Sequence, residues 1–218
     1  MARERSTPIP RQDTPLGRAL REGRAPSAKA TLMDVFDLAR RWFLEGRRLD
    51  MCQLAAELGI SRATLYRWCG SRELLLGELI WRLTHSDLER VRAGTPGGGK
   101  QCVVDAITTW MTRVRSQESL LKFVTEDPEY ALRIMTTKQS VVQPRLIQWC
   151  ADFLRAELDL RPDIDVDDLA YAIVRVCESF VWSDVITGAP PETLRAIPIV
   201  EILISAAESP VRVHPSAG

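Results

Sequence analysis

The chain contains little of what enzymes and metal centres are built from. It has two histidines, His85 and His214, far apart in the sequence, so no Ser or Cys nucleophile has a visible base. GxSxG, P-loop, GxGxxG and HExxH patterns are all missing, and with them the hydrolase, phosphate-binding, dinucleotide-binding and zinc-protease chemistries that those spacings support. The five cysteines, Cys52, Cys69, Cys102, Cys150 and Cys177, are odd in number, widely spaced and without a CxxC pair. That usage reads as buried thiols in a reducing compartment rather than a disulfide framework. A zinc site would have to gather cysteines from distant segments, so neither metal nor cofactor is expected, and no enzyme. No apolar run reaches the roughly 18 residues that suggest a membrane span, and the charged N-terminus has no apolar stretch behind it. A cytoplasmic location without membrane contact is the expectation.

The composition that is present is that of a globular protein: 218 residues, 45% hydrophobic and 27% charged, enough for two compact units. The 29 basic and 29 acidic residues balance overall but are unevenly placed. Residues 1–92 hold 17 Lys and Arg against 12 Asp and Glu, and residues 93–218 hold 12 against 17. The split suggests a basic module for a polyanion joined to an acidic module with another task.

Organisation follows from prolines, glycines and helical periodicity, and an all-α fold is expected. Residues 1–26 carry Pro8, Pro10, Pro15 and Pro26 with six arginines and little apolar material, which predicts a flexible basic arm. Leu32, Val35, Phe36, Ala39, Trp42 and Phe43 mark an amphipathic helix. Asp50 with Gln53 reads as a capping box for a short helix, Met51 to Leu58, closed by Gly59, and Ser61 caps the next helix from Arg62 to about Trp68. A third periodic stretch reaches towards Arg92, before the linker Gly94-Thr-Pro-Gly-Gly-Gly. The spacing then predicts helices over about 100–115, 117–126, 128–137, 144–158, 166–186 and 191–207, with Asp127 and Asp165 as caps and Pro144 opening the fourth of these. Pro198 points to a kink or a late start in the last. The expected division is the arm, a helix-turn-helix domain over 27–93 and a helical bundle over 94–218.

The two short helices joined through Gly59 and Ile60 form a helix-turn-helix. A second helix of about two turns fits the major groove and turns its N-terminal residues to base edges. Leu65 faces inward, leaving Arg62, Thr64, Tyr66, Arg67 and Trp68 for the outward side. A plain helical hairpin is the alternative for such a pattern by itself.

The stretch from Leu54 to Leu75 resembles the DNA-binding signature of the TetR family of bacterial transcriptional regulators, approximately I-A-x-x-A-G-V-S-x-x-T-L-Y-x-[YH]-F-x-x-K-x-x-L. Ala55, Gly59, Ser61, Thr64, Leu65, Tyr66 and Leu75 match, and Leu54, Ile60 and Arg72 are conservative replacements. Leu58, Trp68 and Cys69 depart from it, moving the aromatic bulk one position earlier. The resemblance implies that Thr64, Tyr66 and Arg72 contact phosphates of double-stranded operator DNA, that Arg62 and Ala63 face bases, and that Tyr66 touches a thymine methyl. Arg62 suits guanine O6 and N7 on chemical grounds. Gln53 is a backbone contact candidate, and the arginines at 18, 21 and 24 either meet DNA or are a solvated tail.

The resemblance also implies a homodimer formed by the last two long helices, with Leu169, Ile173, Val176, Phe180, Leu194, Ile197, Ile202 and Leu203 as its apolar surface, and a small-molecule effector bound in the bundle. Aromatic candidates for that pocket are Trp110, Phe123, Tyr130, Trp149, Phe153, Tyr171, Phe180 and Trp182, although burial statistics favour plain core packing for each. Arg113, Arg175, Glu178 and Asp184 are polar groups within apolar helices, and Arg175 with Glu178 is either an intrahelical ion pair or the hook of a pocket. The stretches 127–133, 142–146 and 170–188 are similar to an actinobacterial TetR subgroup associated with lactone or quorum-signal degradation. That similarity implies a repressor released by a lactone or related amphipathic molecule. A DNA-architectural protein without an effector and a small-molecule enzyme are the alternatives.

Overall fold

The computed structural model describes residues 14–22, 30–137 and 140–209. All regular structure among them is helical. In chain order the helices are α1 (Pro15–Glu22), α2 (Leu32–Leu44), α3 (Met51–Glu57), α4 (Arg62–Cys69), α5 (Arg72–Gly94), α6 (Gly99–Ser116), α7 (Glu118–Glu126), α8 (Pro128–Thr136), α9 (Val142–Glu157), α10 (Val166–Val181), α11 (Ser183–Thr187) and α12 (Ala196–Ala207), the last preceded by a 3-10 turn at Thr193–Arg195.

The chain forms two compact units: residues 1–84 with 119–144, and residues 85–118 with 145–218. These boundaries fall within α5 and α9 rather than at the glycine-rich linker, and α7 and α8 group with the helix-turn-helix. One reason is visible in the rings: Phe123 of α7 stands edge-on to Phe43 of α2 at 5.8 Å and to Tyr130 of α8 at 6.1 Å.

In the first unit α1 packs on α2 and α4, and α3 joins α2 to α4. The capping of α2 is complete: Thr31 Oγ1 accepts from Asp34 N at 3.3 Å while Asp34 Oδ2 accepts from Thr31 N at 2.6 Å, a reciprocal box that satisfies two otherwise orphan donors. Helix α1 corrects the expectation of a wholly flexible arm. Pro15 occupies the first helical position, where a missing N–H costs nothing, Thr14 Oγ1 accepts from Gly17 N at 3.0 Å, and Leu16 and Ala19 are buried. The rest of the arm, Arg24 included, lies outside the described residues.

In the second unit α6, α10 and α12 pack pairwise around Val103, Met111, Ile173, Val200 and Ile204, all fully or almost fully buried. Two expectations need adjusting here and at the unit boundary, and a third is narrowed. Helix α9 opens at Val142 rather than Pro144, because Ser140 Oγ accepts from the backbone N–H of Val142 and Gln143 at 2.9 and 3.3 Å. The helix expected to reach Ile186 breaks at Trp182, and α11 follows as a separate turn. Pro198 sits third in α12, a late start, where no intrahelical acceptor awaits an N–H.

Candidate functional site

The helix-turn-helix is assembled from local hydrogen bonds. Asp50 Oδ1 accepts from the N–H groups of Cys52 and Gln53 at 2.7 and 3.0 Å, starting α3. These bonds hold the Asp50 carboxyl below its ordinary range, the Gln53 N–H first and the Cys52 N–H second. The expected box is half made, since the Gln53 side chain makes no return bond and stays exposed. Helix α3 ends in a full Schellman motif: Ile60 N–H donates to the Ala55 carbonyl at 3.0 Å and Gly59 N–H to that of Ala56 at 3.1 Å, with Gly59 at φ +63°. Only glycine adopts that conformation without cost, which is why the turn carries one. Ser61 Oγ then accepts from Thr64 N at 3.1 Å and begins α4.

Helix α4 is held by two residues. Leu65 is fully buried and Cys69 nearly so; burial pushes the Cys69 thiol up to about 12. Burying one leucine contributes about 1.5–3 kcal/mol, enough to fix the rotation of a two-turn helix. With that rotation set, Arg62, Ala63, Tyr66 and Arg67 are exposed, Tyr66 at 39%, while Thr64 and Trp68 are half-buried. The Thr64 hydroxyl lies 3.0 Å from that of Ser61. The outward side of α4 therefore presents two guanidinium groups, a phenol and a methyl side chain. Arg72 stands apart from this group: its guanidinium lies 4.8 Å over the Tyr130 ring and its Nε is buried without an acceptor among the described residues.

The second unit holds an almost wholly apolar cavity of about 30 Å³, walled by α5, α6, α9 and α10. Trp110, Trp149 and Phe153 line it, together with Ile107, Cys150 and Cys177. Trp149 and Phe153 are 5.2 Å apart, and the Trp149 indole donates to Glu89 Oε1 at 2.6 Å. The Trp110 indole N–H is buried with no acceptor among the described residues, the one polar group of note in the wall. Burial pushes the Cys150 and Cys177 thiols up to about 12, so both behave as small hydrophobes.

The other pocket candidates are placed elsewhere. Phe123 and Tyr130 line a different opening, in the first unit. Arg175 donates to Glu178 Oε2 at 2.9 Å and to the Tyr171 hydroxyl at 3.4 Å, so Tyr171, Arg175 and Glu178 form a ladder along one helix and do not border the cavity. Trp182 is buried at the end of α10 and Asp184 pairs with Arg115 at 2.9 Å. Helical spacing marks such residues as facing inward or along a helix, but not which partner helix meets them. The aliphatic wall residues were missed for the same reason, since nothing distinguishes a cavity-lining isoleucine from a core one. Of the expected dimer surface, Leu169 and Ile173 are buried within the unit, whereas Leu194 and Ile202 are exposed, together with Tyr171, Ile186 and Ile199.

A helix-turn-helix followed by an all-helical unit with an apolar cavity is the fold of TetR-type repressors. The R. erythropolis transcriptional repressor QsdR, of the TetR family, is similar at a TM-score of 0.74 and 24% identity, over 82% of this chain and 96% of that one. The TetR-family repressor AlkX from Dietzia sp. strain DQ12-45-1b, implicated in biodegradation of n-alkanes, is similar at a TM-score of 0.56 and 20% identity, over 84% of this chain and 97% of that one. Residues 98–205 match the family model described as tetracyclin repressor-like, C-terminal domain. No curated protein matches the chain. Among the described residues no helix is long and apolar enough to cross a membrane.

Proposed function

We propose that the protein is a cytoplasmic, homodimeric transcriptional regulator of the TetR type, a repressor that leaves its operator when a small amphipathic effector enters the cavity of the second unit. The observation that carries this reading is the outward side of α4, where exposed Arg62, Ala63, Tyr66 and Arg67 stand on a helix fixed from behind by Leu65 and Cys69. In this reading Arg62 and Ala63 meet base edges in the major groove. Thr64, Tyr66 and Arg72 meet phosphates, Arg67 and Trp68 border the groove, and the unreturned Gln53 side chain reaches the backbone. One two-turn helix reads few base pairs, so two copies about one helical turn apart are needed. Leu194, Ile199 and Ile202 are the exposed apolar surface that a second copy would cover.

The effector reading rests on the apolar wall and the single indole donor of Trp110, which suit a molecule with an apolar body and one acceptor, such as a γ-lactone. The cavity of about 30 Å³ is far below the 300–1,000 Å³ or so that ligand pockets occupy, so an effector has to part its walls. Helix α5 belongs to both units and is the element through which such a change would reach α4. The small cavity also fits an architectural protein without an effector, and one experiment separates the two. Duplexes selected from a random pool by gel shift should yield a near-palindrome, and added γ-lactone should abolish the shift. Failure to retard any duplex at low ionic strength overturns the regulator reading; a shift that no lactone relieves overturns the lactone assignment alone.

A further inference from the structure

The opening in the first unit differs in character from the apolar cavity. Its volume is about 110 Å³. Arg47 and Arg48, in the loop from α2 to α3, Arg72 at the start of α5 and Lys122 of α7 supply four cations to its wall, and Phe123 and Tyr130 supply rings. Two carboxylates share the wall, and both are engaged. Glu126 lies 3.7 Å from Lys122 Nζ, and Asp127 Oδ1 caps α8 by accepting from Tyr130 N at 3.3 Å. Asp50 and Glu73 lie within electrostatic reach of Arg72, and Glu73 accepts from the Tyr130 hydroxyl at 3.3 Å. The cations are thus those of the wall itself, and the nearest carboxylates off the wall are partly engaged elsewhere.

Two of the guanidinium groups lie close to aromatic rings, and one donor of Arg72 has no partner among the described residues. Arg47 lies 4.0 Å over the Trp42 ring and Arg72 4.8 Å over the Tyr130 ring. Stacking on a ring engages the cation's face, whereas its N–H donors point outward in the guanidinium plane. Arg72 Nε is buried without an acceptor among the described residues, and a donor left in that condition costs free energy that an incoming acceptor recovers. Phe43, Phe123 and Tyr130 are in edge-to-face sequence; Tyr130 is met by both Arg72 and Arg133, so the half-buried Phe123 supplies the ring surface beside the Arg72 donor.

We propose that this opening binds a small aromatic acid, a carboxylate or phosphate monoester on one flat ring, with its anionic head on Arg72, Arg48 and Lys122 and its ring against Phe123 and Tyr130. The size limits the body: a cavity of about 150 Å³ accepts benzene, and at about 110 Å³ this opening takes no more than part of one ring, with the remainder and the head group at the mouth. Bidentate pairing of an oxyanion with a guanidinium gives the site its preference for anions over neutral rings. Arg48 lies two residues before Asp50, which caps α3, and Arg72 two residues after Gly70, which ends α4, so an occupant touches both flanks of the helix-turn-helix.

The test uses the full chain without DNA, so its outcome is independent of the regulator reading. Phenyl phosphate, inorganic phosphate and benzyl alcohol are titrated by calorimetry at low salt, against the native chain, an Arg48→Ala/Lys122→Ala double variant and Lys122→Glu. Both variants change exposed side chains, and circular dichroism reports their folding. Phenyl phosphate should bind at least tenfold more tightly than inorganic phosphate, benzyl alcohol should give no heat, and each variant should weaken phenyl phosphate at least tenfold. Equal affinities for the two phosphates, unchanged binding by folded variants, or no heat with phenyl phosphate overturns the proposal.

Discussion

Replacing Gly59 by alanine isolates the contribution of the turn that sets α4. Gly59 holds φ +63°, and a Cβ added there meets no atom within 4 Å, so the perturbation is purely of the backbone. An L-residue in that conformation costs about 1–2 kcal/mol. For a chain of this length each kcal/mol lowers the melting temperature by roughly 2–4 °C, so Gly59→Ala should melt roughly 2–8 °C lower. Gly59→Asn provides the control, because asparagine visits the left-handed region more readily than alanine, and it should recover a good part of the loss. If alanine instead pulls the backbone out of this region, the bonds from Gly59 N and Ile60 N to the Ala56 and Ala55 carbonyls go with it, and α4 loses its angle to α3. Thermal melts followed by circular dichroism measure the first effect and duplex affinity the second. An alanine variant as stable as the native chain, or an asparagine variant as damaged as the alanine one, would refute the reasoning.

Three further outcomes follow from the same contacts. Exposed Cys52 should react with a maleimide in the native protein, whereas Cys69, Cys150 and Cys177, buried with thiols pushed up to about 12, should react only on unfolding; mass spectrometry of labelled peptides decides. Arg113→Met should cost about 1–3 kcal/mol in chemical denaturation, more than Asp87→Asn, because Asp87 is 2% exposed and Arg113 45%: removing Arg113 leaves a buried carboxylate with only the longer 3.6 Å pair to Arg90, while removing the carboxylate leaves an arginine that water reaches. The Asp34 and Asp50 carboxyls are held below the ordinary aspartate range, Asp34 chiefly by the Thr31 hydroxyl and Asp50 by backbone N–H groups. Their stabilising contribution is therefore present above the ordinary aspartate range and fades as pH falls through the lower folded values. An acid titration of Asp50→Asn should show a smaller loss of stability over that range than the native chain.

What could be read from the sequence was whatever local chemistry dictates. Asp50, Gly59 and Ser61 each act within three residues of themselves, and the helix-turn-helix they define is found within a residue of its expected bounds. Pro128 after Asp127 and Pro198 near the start of α12 likewise behave as helix starts. Helix α1 was hidden because its stabilisation comes from burying Leu16 and Ala19 against distant helices, which a proline-rich segment does not advertise. The Ser140 cap was eclipsed by the more conspicuous Pro144. Trp110, Trp149 and Phe153 were named among eight aromatics and do line one cavity, yet Phe123 and Tyr130 looked the same in the sequence and line another, since helical periodicity fixes a direction and not a neighbour. Arg72 shows the limit most clearly: its place in the signature implies a phosphate contact, and only the fold reveals Tyr130 beneath it.

The central claim is that α4 reads sequence through its exposed N-terminal end. Deep sequencing of duplexes selected from one random pool, by the native chain and in parallel by Arg62→Ala, tests it most directly. The account predicts a near-palindromic motif for the native chain, and for the variant the loss of preference at one position in each half with the rest of the motif retained. An identical motif from both proteins, or no enrichment by either, would contradict it.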